Sequence, residues 1–233
     1  MQPRVNVIIP LHNGAAFLAD ALDSVAAQTY RPLDVTVVDD GSTDDSAQIV
    51  AEAQVRLHLP IAYHFQHNQG PAAARNCGIA QTDGEFVAFL DADDLWLPQK
   101  IAQQLAFMSV HADAQAVVCH MQYILEPGTL WPVLLRQAYY DQSPPSYLPS
   151  ALLVRRELFG RIGCFDPSLR LGEDTDWFLR ARGSGVFIGV APEVLLIRRF
   201  HSSSLSYASK ADRTEVFTFL HTALRRQRQA SQE

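Results

Sequence analysis

Phe86-Val87-Ala88-Phe89-Leu90-Asp91-Ala92-Asp93-Asp94 is the stretch from which the rest of the chain can be read. An apolar run ends abruptly in acids, with Gly84 before it and Pro98 after it. A short run of this kind, partly β-branched and aromatic, predicts a strand buried on both faces. Side chains two apart on an extended chain point the same way. Asp91 and Asp93 therefore converge at the strand's carboxyl end. Carboxylates so close repel unless a cation or a proton comes between them. Two hard oxygen donors favour Mg²⁺ or Mn²⁺, with water or a substrate phosphate completing the shell. A solvated acidic turn capping the next helix needs the same residues. The stretch alone leaves both readings open.

Working outward, strands and helices alternate. Val5 to Pro10 reads as a first strand, ended by Pro10. Asn13 is positioned to cap a helix whose apolar stripe is Phe17, Leu18, Ala21, Leu22 and Val25. That helix is expected to end near Tyr30, before Arg31-Pro32. Leu33 to Val38 is a second strand running into Asp39-Asp40-Gly41-Ser42-Thr43-Asp44-Asp45, with Ser42 and Asp45 spaced as a capping box. Ile61 to Gln66 is a third strand, and Pro71 opens a helix through Ala80. A helix from Leu97-Pro98 and a strand from Ala116 to Met121 follow. This rhythm predicts an α/β fold, a mostly parallel sheet flanked by helices. In such sheets ligands bind beyond the carboxyl ends of the strands. Three of these ends carry polar sets: His12-Asn13, Asp39-Asp40 and Asp91 to Asp94.

The second half is less regular. Residues 126–149 hold five of the 13 prolines together with Trp131, Tyr139, Tyr140 and Tyr147, and read as a loop-rich insert. Gly172-Glu173-Asp174-Thr175-Asp176-Trp177 opens a helix whose acids stand where the macrodipole favours them. Val186 to Val190 and Val194 to Arg199 read as two strands, and Ala211 to Arg228 as a terminal helix. One domain over residues 1–233 is expected, with 1–121 and 122–233 as its two halves.

Composition narrows the function classes. The 233 residues carry a net charge of −6, so no overall basic field invites nucleic acid. Three cysteines without a C-x-x-C pair imply reduced thiols and a cytoplasmic setting. No apolar run has transmembrane length. Arg225-Arg226-Gln227-Arg228 offers only a short cluster for peripheral contact with anionic headgroups.

Five segments in order resemble the family 2 glycosyltransferases, inverting enzymes of the GT-A fold with a single Rossmann-like domain and a less regular acceptor-binding half. They are Val7 to Gly14, Val38 to Asp44, Gly70 to Asn76, Phe89 to Asp94 and Gly172 to Trp177. The resemblance implies transfer of a sugar from a nucleotide-sugar donor, a UDP-sugar first, to a hydroxyl acceptor. That acceptor is a saccharide, a lipid-linked saccharide or another hydroxyl compound. Asp93 becomes a ligand of Mn²⁺ or Mg²⁺, and Asp91 and Ala92 lie on the nucleotide-sugar. Asp40 accepts from the base. Pro10, His12, Asn13 and Arg75 line the nucleotide, with His12 where many members carry a stacking Tyr or Phe. Asp174 is the general base. Glu173, Asp176 and Trp131 fall on the acceptor side. His201 resembles the family's further metal ligand, brought in when a C-terminal loop closes over the donor. Arg198 and Arg199 read as a surface pair, with contact of one of them to the diphosphate as the alternative.

Two other classes compete. A nucleotidyltransferase would use a similar sheet but usually carries a basic, Gly-rich loop after the first strand, and Pro10 to Gly14 holds no Lys or Arg. A non-catalytic nucleotide-binding module would not need Asp40, Asp91, Asp93 and Asp174 all in place.

Overall fold

A computed structural model describes residues 2–129, 141–169 and 171–202. The strands are β1 (Val5–Leu11), β2 (Leu33–Asp40), β3 (Ile61–Gln66), β4 (Phe86–Phe89), β5 (Leu95–Trp96), β6 (Ala114–Leu125), β7 (Leu153–Arg155) and β8 (Phe187–Phe200). The helices are α1 (Leu18–Ala26), α2 (Ser46–Arg56), α3 (Pro71–Ala80), α4 (Lys100–Val110), α5 (Glu157–Ile162) and α6 (Glu173–Gly183). A 3-10 turn, Pro149–Ala151, precedes β7. Trp131 and the expected terminal helix 211–228 lie outside the described residues.

The eight strands form one sheet in the order β3-β2-β1-β4-β7-β6-β8-β5. From β3 to β4 every pair is parallel. Beyond β4 the sheet is mixed: β7 runs antiparallel to β4 and β6, β6 and β8 are parallel, and β5 is antiparallel to β8. The chain steps outward from β1 to β2 and β3, then returns to the other side of β1 as β4. That reversal opens a crevice between the ends of β1 and β4, where open α/β sheets take their ligands.

The buried sequence pattern accounts for the layers. Val5, Val7, Ile8, Ile9, Val35, Val37, Val87, Ala88 and Phe89 are all sealed from solvent, as a strand covered on both faces requires. Helix α3 lies on β1 and β2, and α4 on β6 and β8. Gly78 lets α3 approach the sheet, since a β-carbon there would collide with Ile8.

Three expectations shift. Pro10 does not end β1, which continues to Leu11. The Leu90 N–H donates to the Ile8 carbonyl (3.1 Å), so the even-numbered backbone groups of β1 face β4. At Pro10, two residues on, β4 has already stopped, and the missing N–H removes no ladder bond. Helix α1 ends at Ala26, four residues before Tyr30. Past its end, Gln28 Nε2 and the Thr29 N–H donate to the carbonyls of Leu97 and Pro98 (both 2.9 Å), drawing the chain out of the helix. The two late strands are one, β8, with irregular register where Cys119 and His120 face Ala191 and Val194.

Candidate active site

β1, β2 and β4 run parallel, so their carboxyl ends share one edge of the sheet. At the end of β2 both acids turn inward. Asp39 accepts from the Ser42 N–H (2.8 Å) and from the Tyr63 hydroxyl (2.7 Å). Burial and that hydrogen bond push the Tyr63 phenol up to about 12. Asp40 is 3% exposed and accepts from Gln66 Nε2 (2.7 Å) and from the N–H groups of Gln69 and Gly70 (2.8 Å each). It thereby anchors the loop that leads into α3.

The loop after β1 is stitched to the loop after β2. Asn13, at φ +50°, does not cap α1; its side-chain oxygen accepts from the Thr43 N–H (2.8 Å) and its own N–H donates to Ser42 Oγ (2.9 Å). His12 is exposed, with Nδ1 donating to the Asp40 carbonyl (2.9 Å). A β-carbon on Gly14 would stand 2.7 Å from Leu11 Cδ1 and 3.3 Å from the Ala92 β-carbon. This loop therefore lies directly against the acidic turn.

The acidic turn is tied from behind. Arg75, 4% exposed, donates to Asp91 Oδ1 and to Glu173 Oε1, both at 2.8 Å. It joins the turn after β4 to the first turn of α6. Burial raises the Glu173 pKa, with Asp174 adding to the effect and Arg75 opposing it. Ser150 Oγ, fully buried, accepts the Asp91 N–H (3.1 Å). The Trp96 indole N–H holds the Ser150 carbonyl (2.8 Å). Asp94 is buried, and burial pushes its carboxyl well above the usual range, with Asp93 and Asp91 adding and Arg198 opposing.

Asp93 faces out of the turn and meets His201, whose Nε2 donates to Asp93 Oδ2 (3.0 Å). His201 follows the last residue of β8. Among the described residues no group of three or more His, Cys, Asp and Glu converges as a metal cage. Arg199 is not a surface residue: its side chain is 10% exposed. It donates to the Asp93 carbonyl (3.2 Å), Glu126 (2.8 Å) and Asp20 (3.0 Å), while its N–H donates to Asp94 Oδ1 (3.2 Å). Arg198 is also largely enclosed. Burial lowers its pKa, but Asp94, Tyr123, Asp91 and Asp93 outweigh that and leave it raised.

On α6, Asp174 is half-buried, and its Oδ1 accepts the Thr175 N–H (2.6 Å). Asp176 is 3% exposed and bonded to Arg180 (2.8 Å), which in turn reaches the carbonyls of Ile162 and Cys164. Its carboxylate is engaged within the packing of α6. Ser150, Phe17 and the Arg199 contacts have no motif. Ser150 stands 59 residues from Asp91, and nothing local in the sequence marks the pairing.

Residues 6–170 match the profile described as Glycosyl transferase family 2. An uncharacterized glycosyltransferase of Rickettsia prowazekii is 33% identical over 214 residues, covering 86% of this chain and 65% of its own length. This chain therefore spans slightly less than two thirds of that relative. Glycosyltransferase GlyA of Streptococcus pneumoniae is 35% identical over 140 residues, 60% of this chain and 20% of its own. Among solved structures, S. aureus TarS 1-349 in complex with UDP-GlcNAc superposes with a TM-score of 0.71 at 25% identity, over 89% of this chain and 61% of that one. The mannosyltransferase PcManGT of Pyrobaculum calidifontis, in complex with GDP-Man and Mn²⁺, gives 0.67 at 24% identity, over 90% of this chain and 60% of that one. The fold is GT-A, and the chain belongs to glycosyl transferase family 2.

Proposed function

We propose that this chain moves a sugar from a nucleotide-sugar, a UDP-sugar first, to an acceptor hydroxyl with inversion. The observation that carries the reading is the 3.0 Å meeting of Asp93 and His201 in the crevice at the end of β4. TarS, seen with UDP-GlcNAc, and PcManGT, seen with GDP-Man and Mn²⁺, support the donor class.

Asp93 and His201 fit an ion of the Mn²⁺ or Mg²⁺ type. Adjacent ligands of an octahedral ion bound at about 2.1 Å stand about 3 Å apart, close to the separation here. Such an ion, when bound, would supply positive charge against the diphosphate as the bond to the sugar breaks. The chain's own groups do the rest. Asp91, steered by Arg75, faces the ribose. A carboxylate has about four acceptor positions, and Asp40 commits three, leaving one for a base N–H. The exposed His12 ring offers a stacking face beside it, with Pro10, Asn13 and Ala92 shaping the loop edge.

Asp174 takes the proton of the attacking hydroxyl. Its Oδ1 is engaged by Thr175, which leaves Oδ2 for that proton. Glu173 acts through Arg75 and Asp176 through Arg180, so both set the pose of α6 rather than touch the acceptor. Trp131 remains the proposed acceptor platform, on residues outside those described. We take the chain as one domain, with a donor half 1–121 and an acceptor half 122–233. Cys77, Cys119 and Cys164 are all unbridged, which suits a reducing, cytoplasmic setting. Among the described residues no helix is long and apolar enough to cross a membrane.

The test is a screen of UDP-, GDP- and TDP-sugars with varied acceptors, reading free nucleotide with and without Mn²⁺. Metal-dependent release from UDP-sugars is expected. Metal-dependent UDP binding with no turnover on any donor would replace this reading with that of a binding module.

A further inference from the structure

His201 meets Asp93 at 3.0 Å, and the contacts around the pair come from several separate elements of the fold. The Phe17 ring lies 4.3 Å from the His201 ring, centroid to centroid. The Arg199 guanidinium carbon stands 4.9 Å above the Phe17 ring, which is tilted 38° against the imidazole. The same guanidinium grips the Asp93 carbonyl and is held by Glu126 and Asp20. One nearly buried cation therefore touches the backbone of one member of the Asp93–His201 pair and the ring that packs against the other. It also ties α1, the end of β6 and the end of β8 to the acidic turn.

We propose that Arg199 and Phe17 are positioning residues that seat His201 beside Asp93 before any donor arrives. Because these contacts lie within the chain itself, the pair is held ready for a divalent cation in the free protein. This rests on the reading of Asp93 and His201 as the metal pair. Groups that orient metal ligands typically change metal affinity by 10- to 100-fold when lost. The guanidinium's fork matters as well as its charge, because it serves three oxygen partners in fixed directions. A lysine at this position would keep the charge and lose that geometry.

The experiment is a Mn²⁺ titration of the nucleotide-free protein, followed by the EPR signal of the free ion. Wild-type protein is expected to bind one Mn²⁺. Arg199→Lys and Phe17→Leu should weaken it by about tenfold or more, while Phe17→Tyr, which keeps the ring, retains wild-type affinity. UDP binding without metal should be unchanged in all three, and a thermal melt of each confirms that the comparison is between folded proteins. If Asp93→Ala leaves Mn²⁺ binding intact, the metal reading itself falls. If Asp93→Ala abolishes binding while Arg199→Lys and Phe17→Leu bind as wild type, the metal reading stands and the positioning role is refuted. Binding of Mn²⁺ only after UDP is added also refutes pre-seating.

Discussion

Arg75 on α3 and Glu173 at the start of α6 are 98 positions apart in the chain and 2.8 Å apart in space. Through the same guanidinium Glu173 is linked to Asp91. The turn assigned to the donor and the helix carrying Asp174 are therefore braced against each other by one buried cation.

Removing that brace leaves Glu173 buried without its partner. Arg75→Met is expected to cost about 3–5 kcal/mol at neutral pH, the usual result of breaking a buried pair from one side. Burial already raises the Glu173 pKa above 4.5. A group raised in the folded state favours folding below its unfolded pKa and loses that contribution as pH rises through the folded value. The deficit of the variant should therefore shrink as pH falls from 7 toward 4.5. Urea unfolding at several pH values measures it, and an unchanged deficit across that range would contradict the account.

Asp174→Asn keeps an oxygen for the Thr175 N–H and so preserves the first turn of α6. It removes only the ability to take a proton. Transfer should fall by about 10²- to 10⁴-fold, with donor affinity by calorimetry unchanged. Transfer at the native rate would remove Asp174 from the role of base.

Asp93→Ala should abolish the metal dependence of nucleotide binding. UDP affinity in Mn²⁺ is expected to drop to the value measured in chelator, with metal-free affinity unaltered. A persistent Mn²⁺ enhancement would mean that the ion binds elsewhere.

Lys100 is fully buried, with Nζ donating to Gln104 Oε1 (2.8 Å) and lying 4.2 Å over the Trp96 ring. Burial pushes its pKa down from 10.5 to about 8, and Cys119 only partly opposes this. A depressed value means that the unfolded chain binds the proton more tightly, so stability rises with pH between about 8 and 10.5. The total gain is about 3 kcal/mol. Burial raises the Cys119 thiol to about 11, which opposes that rise above pH 9. Lys100→Met should therefore differ from wild type most clearly between pH 8 and 9, where it lacks the upward slope. Parallel slopes in chemical denaturation would show that Lys100 does not carry this term.

Much of the fold is legible in local pattern. The apolar runs at Val5, Leu33 and Phe86 are too short and too continuous to be surface helices, and they became the parallel strands of the sheet's first half. The Ile61 to Gln66 strand has the same bounds in structure as in sequence. The shared polar rim is legible where acids end strands, because strand direction alone sends those ends to one edge. Pro10 was misjudged because a proline's cost depends on whether a neighbouring strand still runs beside it. The late segments read as two strands in sequence, yet β8 runs through both with a register shift between Ala191 and Val194.

Periodicity and strand-end chemistry, properties of neighbouring residues, are enough to yield the α/β rhythm, the polar rim and the family resemblance. Partner choice is not local. Asp39, Asp40, Asp91, Asp93 and Asp94 look alike in sequence, yet they end up braced by a tyrosine, a loop backbone, Arg75, His201 and the N–H of Arg199 respectively. Packing distributes those partners across as many as 108 positions of chain, because a carboxylate takes whichever donor the fold brings within reach.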